Sequence, residues 1–125
     1  MSDILGPGAP AALQKALDIA AYREQVIASN VANIDTPGYR AKEIDFKGEL
    51  RRAAAGATDE SIEPSRPGAT LREAETGRLR GDGNTVDIDR EMLNLGVTAG
   101  FYTASVEMIK KYVAMMRAAI TDGRS

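Results

Sequence analysis

The sequence predicts a mainly α protein: long N- and C-terminal amphipathic helices packing as a coiled-coil-like pair, joined by an extended or flexible middle segment that can contain short strands. Three observations lead there. Leu13, Leu17, Ala20, Ile27, Val31 and Ile34 recur at alternating three- and four-residue steps, interrupted only by Glu24, which marks one face of a helix. Met92, Leu95, Ala99, Tyr102, Val106, Ile109, Val113, Met116 and Ile120 step by three and four without a miss, the a/d pattern of a coiled-coil seam. Between these stripes, from Gly48 to Asn84, the only large aliphatics are Leu50, Ile62, Leu71 and Leu79.

In chain order, residues 1–9 are expected to be a flexible N-terminus, loosened by Gly6, Pro7 and Gly8. They carry no basic stretch followed by a continuous apolar one, so no cleavable secretory signal is expected. An N-terminal helix spans 10–34, with Pro10 in the first turn, where a missing N–H costs nothing. Its length is ~36 Å. Thr36-Pro37-Gly38-Tyr39 then stops it, because Pro37 biases Thr36 away from helical geometry and Pro-Gly suits the centre of a type II turn. Asn33 is expected to end the helix in a left-handed conformation. Residues 35–87 make up the turn, an extended arm in which Tyr39, Ile44 and Phe46 are spaced among charges, and a largely flexible middle. A short helix is expected at 47–55 and a strand or two near 69–80. Too little apolar surface lies in 52–84 to offset its ordering entropy, so mobility is expected there in an isolated subunit.

The C-terminal helix spans 88–121, and the two helices form one helical domain. Gly81-Asp82-Gly83-Asn84 is a turn leading in, and Asp87, Asp89 and Glu91 place caps and negative charge at the helix start. Lys110, Lys111 and Arg117 suit its C-terminal half. Met108, Tyr112 and Met115 widen the apolar face beyond one seam, which implies more than one partner. Gly96 and Gly100 conflict with the helical pattern, each costing about 1 kcal/mol relative to Ala. Either they admit a close neighbouring backbone, or the first turns fray in the monomer.

Composition narrows the function. A chain of 125 residues with four Tyr, two Phe and no Trp makes one domain at most, without a large conventional core. Sixteen basic and eighteen acidic residues are interleaved to a net charge of −2, so no basic face points to nucleic acid. No apolar run approaches the ~18 residues of a membrane span, so no direct membrane insertion is expected. The chain has no Cys and no His, which removes thiolate chemistry and the commonest general base and metal ligand. Ser29, Ser61, Ser65 and Ser105 therefore have no imidazole to activate them. Gly77, Gly81 and Gly83 do not match a phosphate-cradling order. Asp87, Asp89 and Glu91 imitate part of a calcium loop, but Met92 stands where glycine is needed and no bidentate Glu follows at the right place. No enzyme activity, cofactor, metal site or small-molecule substrate is expected.

The stretch Asn30-Val31-Ala32-Asn33, then Asp35-Thr36-Pro37-Gly38-Tyr39, running on to Ile44-Asp45-Phe46, resembles the N-terminal signature of flagellar axial proteins, the rod and hook family. It looks most like the proximal rod type of basal-body rod protein. The string Asn84-Thr85-Val86-Asp87 with Asp89 and Glu91 resembles the run into that family's C-terminal helix. Larger axial proteins carry a bulky inserted domain in the middle, and this chain has no room for one. The resemblance implies a periplasmic place in the flagellar basal body and export by the flagellar type III apparatus. It also implies that the protein packs with copies of itself and other rod proteins, and touches the membrane-ring protein and the export-gate junction protein.

Two functions fit the helices alone: a filament-forming structural subunit, or a small soluble helical-hairpin adaptor binding a single partner. The resemblance favours the subunit. Expected assembly residues are the signature positions Asn30 to Asn33 and Asp35 to Tyr39. Expected interface residues are Leu13, Leu17, Ile27 and Val31 on the first helix, with Met92, Leu95, Tyr102, Val106, Ile109, Val113, Met116 and Ile120 on the last. Asn30 lies inside the helix, where Ala would form helix better, so hydrogen bonding between packed subunits is expected of it.

Overall fold

In the computed structural model the described residues are 9–55, 71–74 and 79–123. The expectations for a flexible N-terminus and for the stretches 56–70 and 75–78 fall largely outside them. The architecture is mainly helical, with two long helices packed together and one small sheet beside them. Helix α1 runs over Ala9–Ala32, 24 residues without an internal glycine. Strand β1 (Lys42–Ile44) follows, then helix α2 (Phe46–Ala54), strand β2 (Leu71–Glu73) and helix α3 (Ile88–Asp122), which is 35 residues long.

Each start has a local cause. The Asp45 carboxylate accepts from the Gly48 N–H at 3.2 Å and caps α2. The Asp87 carboxylate accepts from the N–H groups of Asp89 and Arg90 at 3.1 and 3.4 Å and caps α3. Asp89 and Glu91 add negative charge to that first turn, where the helix dipole favours it. β1 and β2 pair antiparallel in the register Lys42–Glu73, Glu43–Arg72 and Ile44–Leu71. The ladder continues one step, with Ala74 N–H donating to the Ala41 carbonyl at 2.9 Å.

The core lies where α1 meets the arm. Ile19, Val26, Ile44 and Ala53 are buried together, with Tyr22, Phe46, Leu50 and Leu71 packed against them. Phe46 joins this cluster to α3 by an edge-on contact with Phe101, ring centroids 5.3 Å apart. The Arg23 guanidinium sits 4.6 Å from the centre of the Phe46 ring, a favourable cation–π placement.

Two features differ from the sequence reading. Within 52–84, much of which is expected to be mobile, residues 71–73 form a strand in the stretch where one is expected, and 79–84 are joined to the rest by the hydrogen bonds described below rather than by apolar burial. The α1–α3 contact also does not follow the apolar seam of α3. The buried positions on α3 are Glu91, Thr98 and Ser105, and Thr98 hydrogen-bonds the Asn94 carbonyl of its own helix at 2.7 Å. On α1, which packs against α3, Ala16, Ala20 and Ile27 are buried. Glu91, Thr98 and Ser105 are themselves spaced by seven, and seam residues stand one and four positions after each, so at ~100° per residue the seam lies roughly 40–100° to one side of the inward face. Leu95, Val106 and Ile109 are half-buried at its edge. No residue of α3 is buried after Ser105.

Candidate functional site

The two stretches carrying the family resemblance are bound to each other through residues 44 to 51 positions apart. After α1, Asn33 N–H donates to the carbonyls of Ser29 and Asn30, and Ile34 N–H to that of Val31, tightening the last turn. Tyr39 N–H donates to the Thr36 carbonyl at 3.2 Å, and Gly38 has φ of 75°. Thr36 to Tyr39 is thus the expected type II turn, with glycine at the position that needs positive φ. Asn33 does not take the left-handed conformation expected of it, since among the described residues only Gly38 and Gly83 have positive φ. Its side chain instead donates to the Ser29 carbonyl at 2.8 Å and accepts from the Thr36 hydroxyl at 3.1 Å.

The remaining carbonyls at the end of α1 are satisfied from far away in sequence. Asn84 has no solvent exposure (0 %). Its Nδ2 lies 2.9, 3.0 and 2.9 Å from the carbonyl oxygens of Asn33, Ile34 and Thr36, and its Oδ1 accepts from Val86 N–H at 2.8 Å. The Arg80 guanidinium also donates to the Ile34 carbonyl. Alongside, Gly38 N–H donates to the Asp82 carbonyl (2.8 Å), Thr85 N–H to the Tyr39 carbonyl (3.0 Å), and Ala41 N–H to the Thr85 hydroxyl (2.8 Å). A Cβ on Gly83, itself at φ 82°, would stand 3.4 Å from the Gly38 Cα. One side chain, Asn84, therefore caps α1 and shapes the chain leading into α3. This joint sets the C-terminal end of α1 beside the N-terminal end of α3, so the long helices are antiparallel.

Asn30 forms the second fastening. It is 1 % exposed. Its Nδ2 donates to the Lys42 carbonyl at 2.8 Å while its Oδ1 accepts from Lys42 N–H at 3.0 Å and from the Tyr39 hydroxyl at 3.3 Å. The amide thus copies a strand neighbour for β1, which explains an asparagine inside a helix. Its polar atoms have partners within the chain. Glu91 lies beside it; burial pushes the Glu91 carboxyl above the usual carboxylate range, opposed by a hydrogen bond from Asn30 and by the charges of Arg90 and Arg23. Burial likewise lowers the pKa of Arg23, against the attraction of Glu43 and Glu91. Glu43 closes the cluster with ion pairs to Arg72 at 3.2 Å and Arg90 at 3.6 Å. Four elements, α1, β1, β2 and α3, meet at this polar knot.

The other residues singled out from sequence are dispersed. Ile27 is buried, Leu13, Leu17, Val31, Asn33 and Tyr39 are half-buried, and Ala32, Asp35, Thr36, Pro37 and Gly38 are exposed. On α3, Leu95, Val106 and Ile109 are half-buried, while Met92, Tyr102, Val113, Met116 and Ile120 face solvent. Leu93 and Val97, outside the seam, are also exposed. Glu91, Thr98 and Ser105, which do the internal packing, were hidden by their polarity. Among the described residues no cluster of acidic side chains could hold a metal ion, and no helix is long and apolar enough to cross a membrane.

Comparison with known proteins agrees with this geometry. Residues 23–40, the end of α1 and its turn, match the family described as "Flagella basal body rod protein". Over 125 residues the chain is 34 % identical to the flagellar basal body rod protein FlgB of Proteus mirabilis (strain HI4320), covering 88 % of this chain and 91 % of that one. The FlgB proteins of Escherichia coli (strain K12) and Bacillus subtilis (strain 168) are 31 % and 32 % identical; the matches cover 88 % and 90 % of this chain and 91 % and 92 % of theirs.

Proposed function

The chain belongs to the FlgB family of flagellar basal-body rod proteins and is a structural subunit of the rod, and we propose that its two long helices carry the assembly into a tubular axial structure. That structure transmits torque and lets exported subunits pass. The observation behind this reading is the exposed C-terminal part of α3, where Val113, Met116 and Ile120 continue the inward face after α1 has run out. Burying them in a neighbour is worth ~1.5–3 kcal/mol each, before the cost of association. Its neighbours are copies of itself and other rod proteins, with the membrane-ring protein and the export-gate junction protein at the base of the rod. It works in the periplasm and arrives there through the flagellar type III apparatus. Assembly requires no enzyme chemistry and no cofactor.

Met116→Asp tests the reading. Met116 is exposed in the single chain, so the substitution should change its stability by no more than about 0.5 kcal/mol. In the assembly it would bury a charge without a partner, at a cost of several kcal/mol. The expected result is a normally folded subunit, absent from isolated basal bodies, in cells that have lost motility. Full motility with the variant present in rods would show that this face stays in solvent.

A further inference from the structure

Exposed apolar residues, Met92, Tyr102, Met108 and Met115 among them, are spread along α3, and two groups at its opposite ends face in different directions. One is the overhang, Val113, Met116 and Ile120. The other lies towards the N-terminal end of the helix on its outer side, where Leu93 is 67 % and Val97 54 % exposed, with exposed Gly100 and Ala104 following on the same side. At ~100° per residue, the outer patch sits roughly 100–160° around the helix from buried Thr98, while the overhang lies within roughly 60° of Thr98 on the other side. The patches share no residue and point in different directions, so α1 of the same chain cannot cover both.

Resting on the rod-subunit reading, we infer that the α3 overhang of one copy seats on the outer patch of α3 in the next copy. Shape and charge both select a second copy. The overhang presents branched and long side chains, whereas the outer patch has an open floor: nothing lies within 4 Å of a Cβ built at Gly96 or Gly100. Exposed Asp89 and Glu107 border the outer patch, and exposed Lys110 and Arg117 border the overhang. Acidic and basic edges therefore meet when the patches meet. Glu107 and Lys110 already pair within one helix at 3.3 Å, which leaves Asp89 and Arg117 as the partners this contact would bring together. Two unlike patches joined in this way make a heterologous contact, which repeats from copy to copy rather than stopping at a dimer. The two glycines then have a reason to stand in an otherwise regular helix: they keep the floor of the outer patch low.

The chain contains no cysteine, so introduced thiols report without background. Val97→Cys and Met116→Cys chains are expressed together, basal bodies are isolated, and a short thiol-to-thiol cross-linker is added. Cross-linked dimers containing one chain of each kind are expected, with neither variant alone giving dimers. Dimers from Val97→Cys alone, cross-links only to a different rod protein, or no cross-link although both variants are in rods would each overturn the pairing. Recovery of the wild-type chain in the basal bodies is scored separately, and its absence would count against the rod-subunit reading itself. Gly100→Leu, added to the Val97→Cys chain, supplies a second readout. It should leave the helicity of the purified chain equal or higher, since the side chain meets open space, yet lower the cross-link at least tenfold. An undiminished cross-link would show that nothing seats on this patch.

Discussion

Asn84→Ala should destabilise the isolated chain by about 3 kcal/mol, because a buried side chain that serves three carbonyls and one N–H cannot be removed without leaving some of them unpaired. The carbonyls of Asn33, Ile34 and Thr36 would lose the Nδ2 donor, and Val86 N–H its acceptor. Arg80 would remain for Ile34 alone. The loss falls on the joint that orients α1 against α3, so amide exchange should accelerate at Gly38, Ala41 and Thr85, whose bonds cross between the two stretches. Denaturant titration of the variant beside Asp35→Ala, an exposed control, measures the difference. A loss below 1 kcal/mol, or unchanged exchange at those three amides, would mean that the turns hold the joint without Asn84.

Asn30→Ala is expected to cost about 2 kcal/mol, despite replacing a mediocre helix former by the best one. Three consequences oppose the gain in propensity. Both polar backbone groups of Lys42 lose their partner, the Tyr39 hydroxyl loses its acceptor, and the buried Glu91 carboxyl loses a hydrogen bond that favours its charge. Asn30→Asp separates hydrogen bonding from shape. It keeps an acceptor for Lys42 N–H but turns a negative oxygen towards the Lys42 carbonyl and Glu91, so it should be at least as damaging as alanine. Thermal unfolding and rod recovery are measured for both variants. Wild-type stability of the purified Asn30→Ala chain, combined with loss of rods, would move this residue's role from inside the subunit to the contacts between subunits.

These two asparagines show where sequence legibility ended. Helices α1 and α3, the Pro37-Gly38 turn and the Asp87 cap follow from periodicity and from residue chemistry that acts over three or four positions. They were legible for that reason. The bonds from Asn84 to Asn33, Ile34 and Thr36 span about fifty positions, and no local pattern encodes which distant carbonyls an amide will find. Asn84 was visible only as a turn residue within a resembling string. The buried face of α3 was hidden for a different reason. Apolar periodicity marks the seam, much of which is exposed in the single chain, whereas the buried Thr98 and Ser105 are small and polar and leave no apolar signal. On a helix that carries both, the stronger hydrophobic signal belonged to surface left uncovered in the subunit. The small apolar content of 79–84 was legible, but the hydrogen bonds that join this segment to the signature turn were not.

The central claim is that α3 keeps an apolar surface exposed in the single chain and covered in the rod. Thiol accessibility of Val113→Cys and Ile120→Cys tests it most directly, with labelling rates compared between the purified subunit and intact basal bodies. Ile120 is 55 % exposed and Val113 40 % exposed, so both thiols should react freely in the purified chain and at least tenfold more slowly in rods. Equal rates in the two states, with the variants present in the rods, would contradict it.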